Sequence, residues 1–138
     1  MAKSSGITTT VSVDDGGAVL RDISTSVTSL TINTPRGVQD ITGMDKSAVE
    51  RLLLLADATV EMGGVFDPTA TTGSHTVLRT VPSTTVTRTV TIVFNSTPTA
   101  TLSMEMLASN YTLTRAQSGE LTWSCSFALQ SGSAPTWS

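Results

Sequence analysis

The sequence is short of the residues that carry most chemistry. It has one cysteine, Cys125, and one histidine, His75. A lone cysteine excludes an intramolecular disulfide framework and a four-cysteine metal site, and it fits synthesis in a reducing cytoplasm. With a single histidine beside it, a soft-metal centre would need carboxylates for most of its ligands. His75 lies in a Gly/Ser/Thr stretch with no G-x-S-x-G elbow, so it reads as a loop histidine rather than a catalytic one. No P-loop or dinucleotide fingerprint occurs. Asp14 and Asp15 are adjacent carboxylates, but before Gly16-Gly17 such a pair is turn chemistry. The expectation is a protein that is not an enzyme and holds no metal or cofactor.

Clustered positive charge is also missing. Eight Lys and Arg are scattered among eleven Asp and Glu, for a formal charge of −3. Stable nucleic-acid binding needs grouped cations to displace phosphate counterions, so a conventional nucleic-acid binder is excluded. Aromatic residues make up only 4%, which leaves few platforms for stacking bases or sugars. No apolar run approaches the roughly 20 residues of a membrane span. The first ten residues, MAKSSGITTT, have one lysine and no apolar centre, and are expected to be neither a signal sequence nor an anchor.

What the chain has instead is threonine, serine and valine in alternation. At 138 residues it is expected to form one domain, residues 1–138, long enough to bury a core without staples. Period two recurs. Val11 and Val13 alternate with Thr10 and Ser12. Leu30 and Ile32 alternate with Ser29 and Thr31. Val86, Val90, Ile92 and Phe94 share a face opposite Thr87, Thr89 and Thr91. Ala100, Leu102, Met104, Met106 and Ala108 stand opposite Ser103 and Glu105. Leu121, Trp123, Cys125, Phe127 and Leu129 stand opposite Ser124 and Ser126. Such strands have one face in a core and one polar face. Asp14–Gly17 reads as a hairpin turn, Gly63-Gly64 as a bulge or bend, and Ser118-Gly119 as the turn before the last strand. About seven short strands at this spacing predict a mainly β fold, an antiparallel sandwich or barrel.

One segment breaks the pattern. In DKSAVERLLLLAD, residues 45–57, Ser47 and Glu50 match a capping box, and Val49, Leu52, Leu53 and Ala56 follow at helical spacing. The spacing predicts one short α-helix over about residues 47–56, with Leu52 in the core and a switch to strand at Thr59. Residues 33–45 and 66–76 read as irregular. The small, polar ends, residues 1–7 and 131–138 with Trp137, read as arms that dock on something.

An ordered set of pieces spans nearly the whole chain: TPRGVQDITGMDKSAVERLLLLADATVEMGGVFD, then VPSTTVTRTVTIVF, then YTLTRAQSGELTWSCSFALQSG. Together they resemble the major tail tube proteins of long-tailed, siphovirus-like bacteriophages, particularly those infecting actinobacteria. The resemblance implies a tail tube fold that assembles with itself into hexameric rings, stacked as the conduit for DNA ejection. It implies a virion protein made in the host cytoplasm, with tape measure, tail terminator and tip proteins as partners. It further implies that DNA passes through the lumen without specific binding and that no membrane is involved. The alternatives are another phage β-sandwich protein (head decoration or tail terminator) and an immunoglobulin-like adhesin or carbohydrate-binding module.

The resemblance also implies that a loop over residues 33–46 contacts neighbouring subunits. Its candidate residues are Pro35, Arg36, Asp40, Thr42 and Asp45, with Arg36 and Asp40 either in inter-subunit ion pairs or simply solvated. Pro35 would stiffen the loop and lower its ordering cost on assembly. Trp137 is the candidate in the C-terminal arm. Glu61 and Glu105, each alone on the polar face of a strand, are candidates for lumen-facing charge, or else ordinary outer-surface carboxylates. A conduit wall of hydroxyls and carboxylates would repel phosphates rather than trap them.

Overall fold

The computed structural model describes residues 7–95 and 99–138, so the expected N-terminal arm lies outside the described residues except for Ile7. Nine strands are formed among the described residues. They are β1 Thr9–Asp14, β2 Leu20–Asp22, β3 Val27–Asn33, β4 Arg36–Asp40, β5 Arg51–Ala56, β6 Thr59–Val65, β7 Arg88–Phe94, β8 Ala100–Arg115 and β9 Leu121–Leu129. One α-helix, α1, covers Ser74–Leu78. The pairings between strands are antiparallel. Seven strands form one sheet in the order β2-β1-β7-β8-β9-β6-β3, and β4 and β5 form a separate ribbon.

That order forces the large sheet to curl. Strands β2 and β3 stand at its opposite ends. Laid flat, six inter-strand spacings would separate them by about 29 Å. Only residues 23–26 join them, a reach of about 18 Å at most from Asp22 to Val27. The ends must therefore swing towards each other, and a 3-10 turn at Ser24–Ser26 spans the gap. The result is barrel-like, with its core on the inner face. Gly64 is small for this reason. A Cβ there would run into the main chain of Ser26.

The alternation places side chains as expected. Val11 and Val13 of β1, Val60 and Met62 of β6, and Val90 and Ile92 of β7 are buried in one cluster. Leu102, Met104 and Met106 of β8 and Trp123, Cys125 and Phe127 of β9 complete it. Val86 is the exception, lying before β7 and exposed. The turns follow their chemistry. Asp15 Oδ1 accepts from the N–H groups of Gly17 and Val19 at 2.9 and 3.1 Å, and Gly119 takes φ +95°. Gly63-Gly64 is not itself a bulge. Both glycines pair regularly with β9, and the register shift falls in β3 between Val27 and Ser29.

The helix expected over residues 47–56 does not exist. Arg51–Ala56 is strand β5, and the capping box of Ser47 and Glu50 is not made. The Glu50 N–H donates instead to Thr42 Oγ1 at 2.8 Å. Ten residues is short for a helix, which needs about 12–15 to hold without tertiary support. Here no core surface is offered, because Leu52, Leu53, Leu54 and Leu55 are all exposed. Pairing with β4 satisfies the backbone instead: Val38 stands opposite Leu53, Gln39 opposite Leu52 and Asp40 opposite Arg51. Leu52 is accordingly not a core residue. The region expected to be a loop, residues 33–46, is half strand.

The α-helix forms where the sequence reads as irregular, at Ser74–Leu78, and it buries Val77 and Leu78. It is anchored by a cation that alternation placed on the inner face. The Arg88 side chain is 1% exposed. Its Nη1 donates to the carbonyls of Asp14 and Val77 at 2.8 and 2.9 Å, and its Nη2 donates to Thr80 Oγ1 at 2.9 Å. Burial pulls its pKa below the ordinary arginine value. One guanidinium thus ties the end of β1 and the end of α1 to β7.

Candidate assembly surfaces

The ribbon is the first surface. All five residues of β4 are exposed, and so are Arg51–Leu55 of β5. Successive side chains of a strand point to opposite faces. Val38 therefore shares one face with its partner Leu53, and Gln39 and Leu52 share the other; the register shift between Arg36 and Val38 breaks the alternation at Leu54 and Leu55. Leu55 is 92% exposed. Fully burying a leucine is worth roughly 1.5–3 kcal/mol, and a two-stranded hairpin alone is marginal in water. Such a ribbon is incomplete until something covers it.

Its backbone is nevertheless pinned at both ends. At the base, the Asp57 N–H donates to the Pro35 carbonyl at 3.0 Å, and Arg36 Nε donates to the Leu54 carbonyl at 2.8 Å. Near the tip, Asp40 Oδ1 accepts from the Thr42 N–H at 2.9 Å and from its hydroxyl at 2.6 Å. The Ile41 N–H donates to the Glu50 carbonyl at 3.0 Å. The Thr42 hydroxyl and N–H together hold the Asp40 carboxyl below its ordinary value. Asp45 sits in the tip turn beside Gly43. The five candidates of this segment therefore all lie on the ribbon. Asp40 and Thr42 touch one another, while Arg36 is at the opposite end from Asp40. Among the described residues the only ion pair on the ribbon is Lys46–Glu50, 3.7 Å and exposed.

The second surface is the outer face of the large sheet. Glu61 stands opposite Thr31 on β3 and Ser126 on β9, and Ser126 stands opposite Ser109 on β8. Residues 105, 107 and 109 alternate on that same side of β8, so Glu105 shares the face with Glu61. The Glu105 carboxylate accepts from the hydroxyls of Thr89, at 2.6 Å, and Thr87. Thr91 and Ser103 face each other hydroxyl to hydroxyl at 3.1 Å. Across β6 to β9 the ionisable side chains on this face are these two glutamates.

Trp137 docks on its own chain rather than reaching away. It bridges to Leu102 beyond the end of β9, and the Thr101 and Ser138 main chains exchange hydrogen bonds of 2.8 and 2.9 Å. Its ring stacks on Phe94, with centroids 6.0 Å apart.

The remaining reactive side chains are quiet. His75 is on α1, not in a loop, and its Nδ1 lies 3.1 Å from the Tyr111 hydroxyl. Burial pushes Tyr111 and Cys125 up to about 12 each, so both stay protonated at neutral pH. Among the described residues no group of three His, Cys, Asp or Glu could hold a metal ion, and no helix is long and apolar enough to cross a membrane. Sequence reasoning missed Arg88 and the exposed leucines. Arg88 was in principle visible as the one charge on the inward register of β7.

No family model matches the chain, and no curated protein does. Solved structures do. A chain in the tail of an empty gene transfer agent particle, refined helically with C6 symmetry, superposes with TM-score 0.70. It is 15% identical, and the match covers 99% of both chains. A chain in the virion of the native gene transfer agent particle gives TM-score 0.65 at 13% identity, covering 93% of this chain and 95% of that one. A chain in the six-fold symmetrised baseplate of the anti-feeding prophage gives 0.68 at 11% identity, covering 100% and 97%. The fold is therefore the one used in the tails and baseplates of phage-like particles.

Proposed function

We propose that this chain is a structural, non-enzymatic tail tube subunit, assembling with itself into hexameric rings that stack into a conduit for DNA. The observation that carries this is the agreement of fold over nearly the full chain with components of a C6-symmetric tail and a six-fold symmetrised baseplate. Two features of the surface support it. The ribbon presents apolar side chains that a lone subunit leaves in water, and across β6 to β9 the outer sheet face presents hydroxyls with Glu61 and Glu105 as its charged side chains. As a lumen wall, that face would slide past phosphates without binding them. Repetition in a ring also pairs sheet edges that are otherwise open.

In this reading the ribbon, with Pro35, Arg36, Asp40, Thr42 and Asp45, is the inter-subunit arm. Tape measure, terminator and tip proteins are the partners along and at the ends of the tube. The protein resides in the virion after synthesis in the host cytoplasm. The narrower assignment to siphovirus-like phages of actinobacteria rests on the sequence motifs alone.

Electron micrographs of the purified protein at high concentration test the proposal. Rings or tubes of uniform bore are expected. A strict monomer, even with other tail components added, would sink it. The likeness to a baseplate chain favours one second reading, a tube-initiating ring at the baseplate. That version would cap a growing tube instead of stacking on itself.

A further inference from the structure

Among the described residues the curled sheet does not close. Strand β3 is its last strand, and the edge of β3 away from β6 has no strand partner among the described residues. Between that edge and β1 runs a groove of about 670 Å³, lined by Val11, Val27, Leu30, Ile32, Phe94 and Trp137 among others. None of its lining residues is charged. Strand β5 has the matching property. It pairs with β4 on one edge only, and Leu52 to Ala56 carry no charge.

Resting on the tail tube reading, we infer that the groove of one copy is the receptor for β5 of the next. The free edge of β5 adds to the free edge of β3, and the exposed leucines of β5, Leu53 foremost, fill the groove. Strand addition of this kind draws affinity from main-chain hydrogen bonds and specificity from alternate side chains. A second copy is the occupant for three reasons. Both surfaces are uncharged, each offers an unpaired strand edge, and the chain itself supplies the exposed leucines. Knob and hole lie on different parts of one molecule, so in a six-fold assembly the contact runs head-to-tail and closes into a ring or runs on, whereas two arms exchanged reciprocally would stop at a dimer. One such contact is far smaller than the 20–30 residues per side of a stable pair. It holds through repetition.

Cysteine cross-linking in the assembling full-length protein tests this. Cys125 is buried and does not interfere. Two double variants, Leu53→Cys with Thr28→Cys and Leu53→Cys with Thr34→Cys, sample both ends of β3. At least one is expected to give a ladder of covalent dimers, trimers and higher species on mild oxidation. A control pairs Leu53→Cys with Ser124→Cys on the outer sheet face. Ladders no stronger than that control would overturn the docking, as would products that stop at dimers. A groove occupied by this chain's own residues 1–6 would also overturn it, shown by Ser4→Cys cross-linking to Thr28→Cys within dilute monomers. Tubes in micrographs without ladders refute this inference alone. Absence of rings or tubes refutes the tail tube reading.

Discussion

The indole N–H of Trp123, on β9, donates to the main-chain carbonyl of Ser26, 3.2 Å away and 97 positions earlier in the sequence. The bond is buried, and it fastens the 3-10 turn between β2 and β3 to the floor of the curled sheet. Trp123→Phe keeps most of the apolar contact and leaves that carbonyl unpaired, so a loss of about 1–3 kcal/mol is expected. Trp123→Ala should lose roughly 3–5 kcal/mol. Urea denaturation midpoints measure both, and midpoints unchanged from the parent protein in both variants would show that the hydrogen bond and the packing are irrelevant here.

Arg88 should behave as a structural clamp. Arg88→Met removes the donor for the Asp14 and Val77 carbonyls and for the Thr80 hydroxyl. Each buried acceptor left bare costs about 1–3 kcal/mol, so a loss of roughly 3 kcal/mol or more is expected. Hydrogen exchange should rise first in α1. Uniform protection in the variant would mean that the helix is held by Val77 and Leu78 alone.

Ribbon substitutions should separate folding from assembly. Leu52, Leu53 and Leu55 are exposed, so an aspartate at any of them should move monomer stability by no more than about 0.5 kcal/mol. Leu53→Asp and Leu55→Asp should abolish rings, and Asp40→Lys should do the same by undoing the tip. Circular dichroism and micrographs report the two properties separately. A variant that unfolds would place the ribbon back in the core.

Acid should act on the ribbon tip. The Asp40 carboxyl is depressed from 3.8 by its two bonds from Thr42. A depressed carboxylate stabilises above its unfolded pKa, and that contribution fades as pH falls through the folded value. Protection from exchange around residues 40–50, taken relative to the intrinsic rate at each pH, should therefore be flat from pH 5 upward and fall below about pH 4. Thr42→Val should abolish the step.

Alkali should act on the core. Tyr111 and Cys125 are both pushed up to about 12 by burial. Groups whose folded pKa is raised stabilise fully below the unfolded value, and that is lost as pH rises through the folded one. Stability should thus decline from about pH 9 towards 12. Cys125 should resist thiol reagents at pH 8 until the chain unfolds. Rapid stoichiometric labelling of the native protein would show that the strand opens easily.

The strand faces and turns were legible because their causes are local. Val90 and Ile92 are buried and Thr89 and Thr91 are not, as a two-residue period demands, and Asp15 and Gly119 sit where their turn chemistry is needed. The candidate site was half legible. The resemblance implies an inter-subunit loop over residues 33–46, and Pro35 to Asp45 lie on the ribbon that stands apart from the large sheet. Its form was misread, since Leu52–Leu55 fit any period.

The sequence by itself determined a mainly β chain with a valine, methionine and leucine core, hydroxyl-rich outer faces and no reactive cluster, because composition and alternation act within a few residues. Only the tertiary structure decided that the leucines form a strand. Their partner is Arg36–Asp40, with Arg36 bonded to Leu54 18 positions away, and no local pattern encodes a pairing at that distance. The burial of Arg88 was decided in the same way. A cation on an apolar face is tolerable only where distant carbonyls converge on it, and Asp14, 74 positions back along the chain, provides one of them.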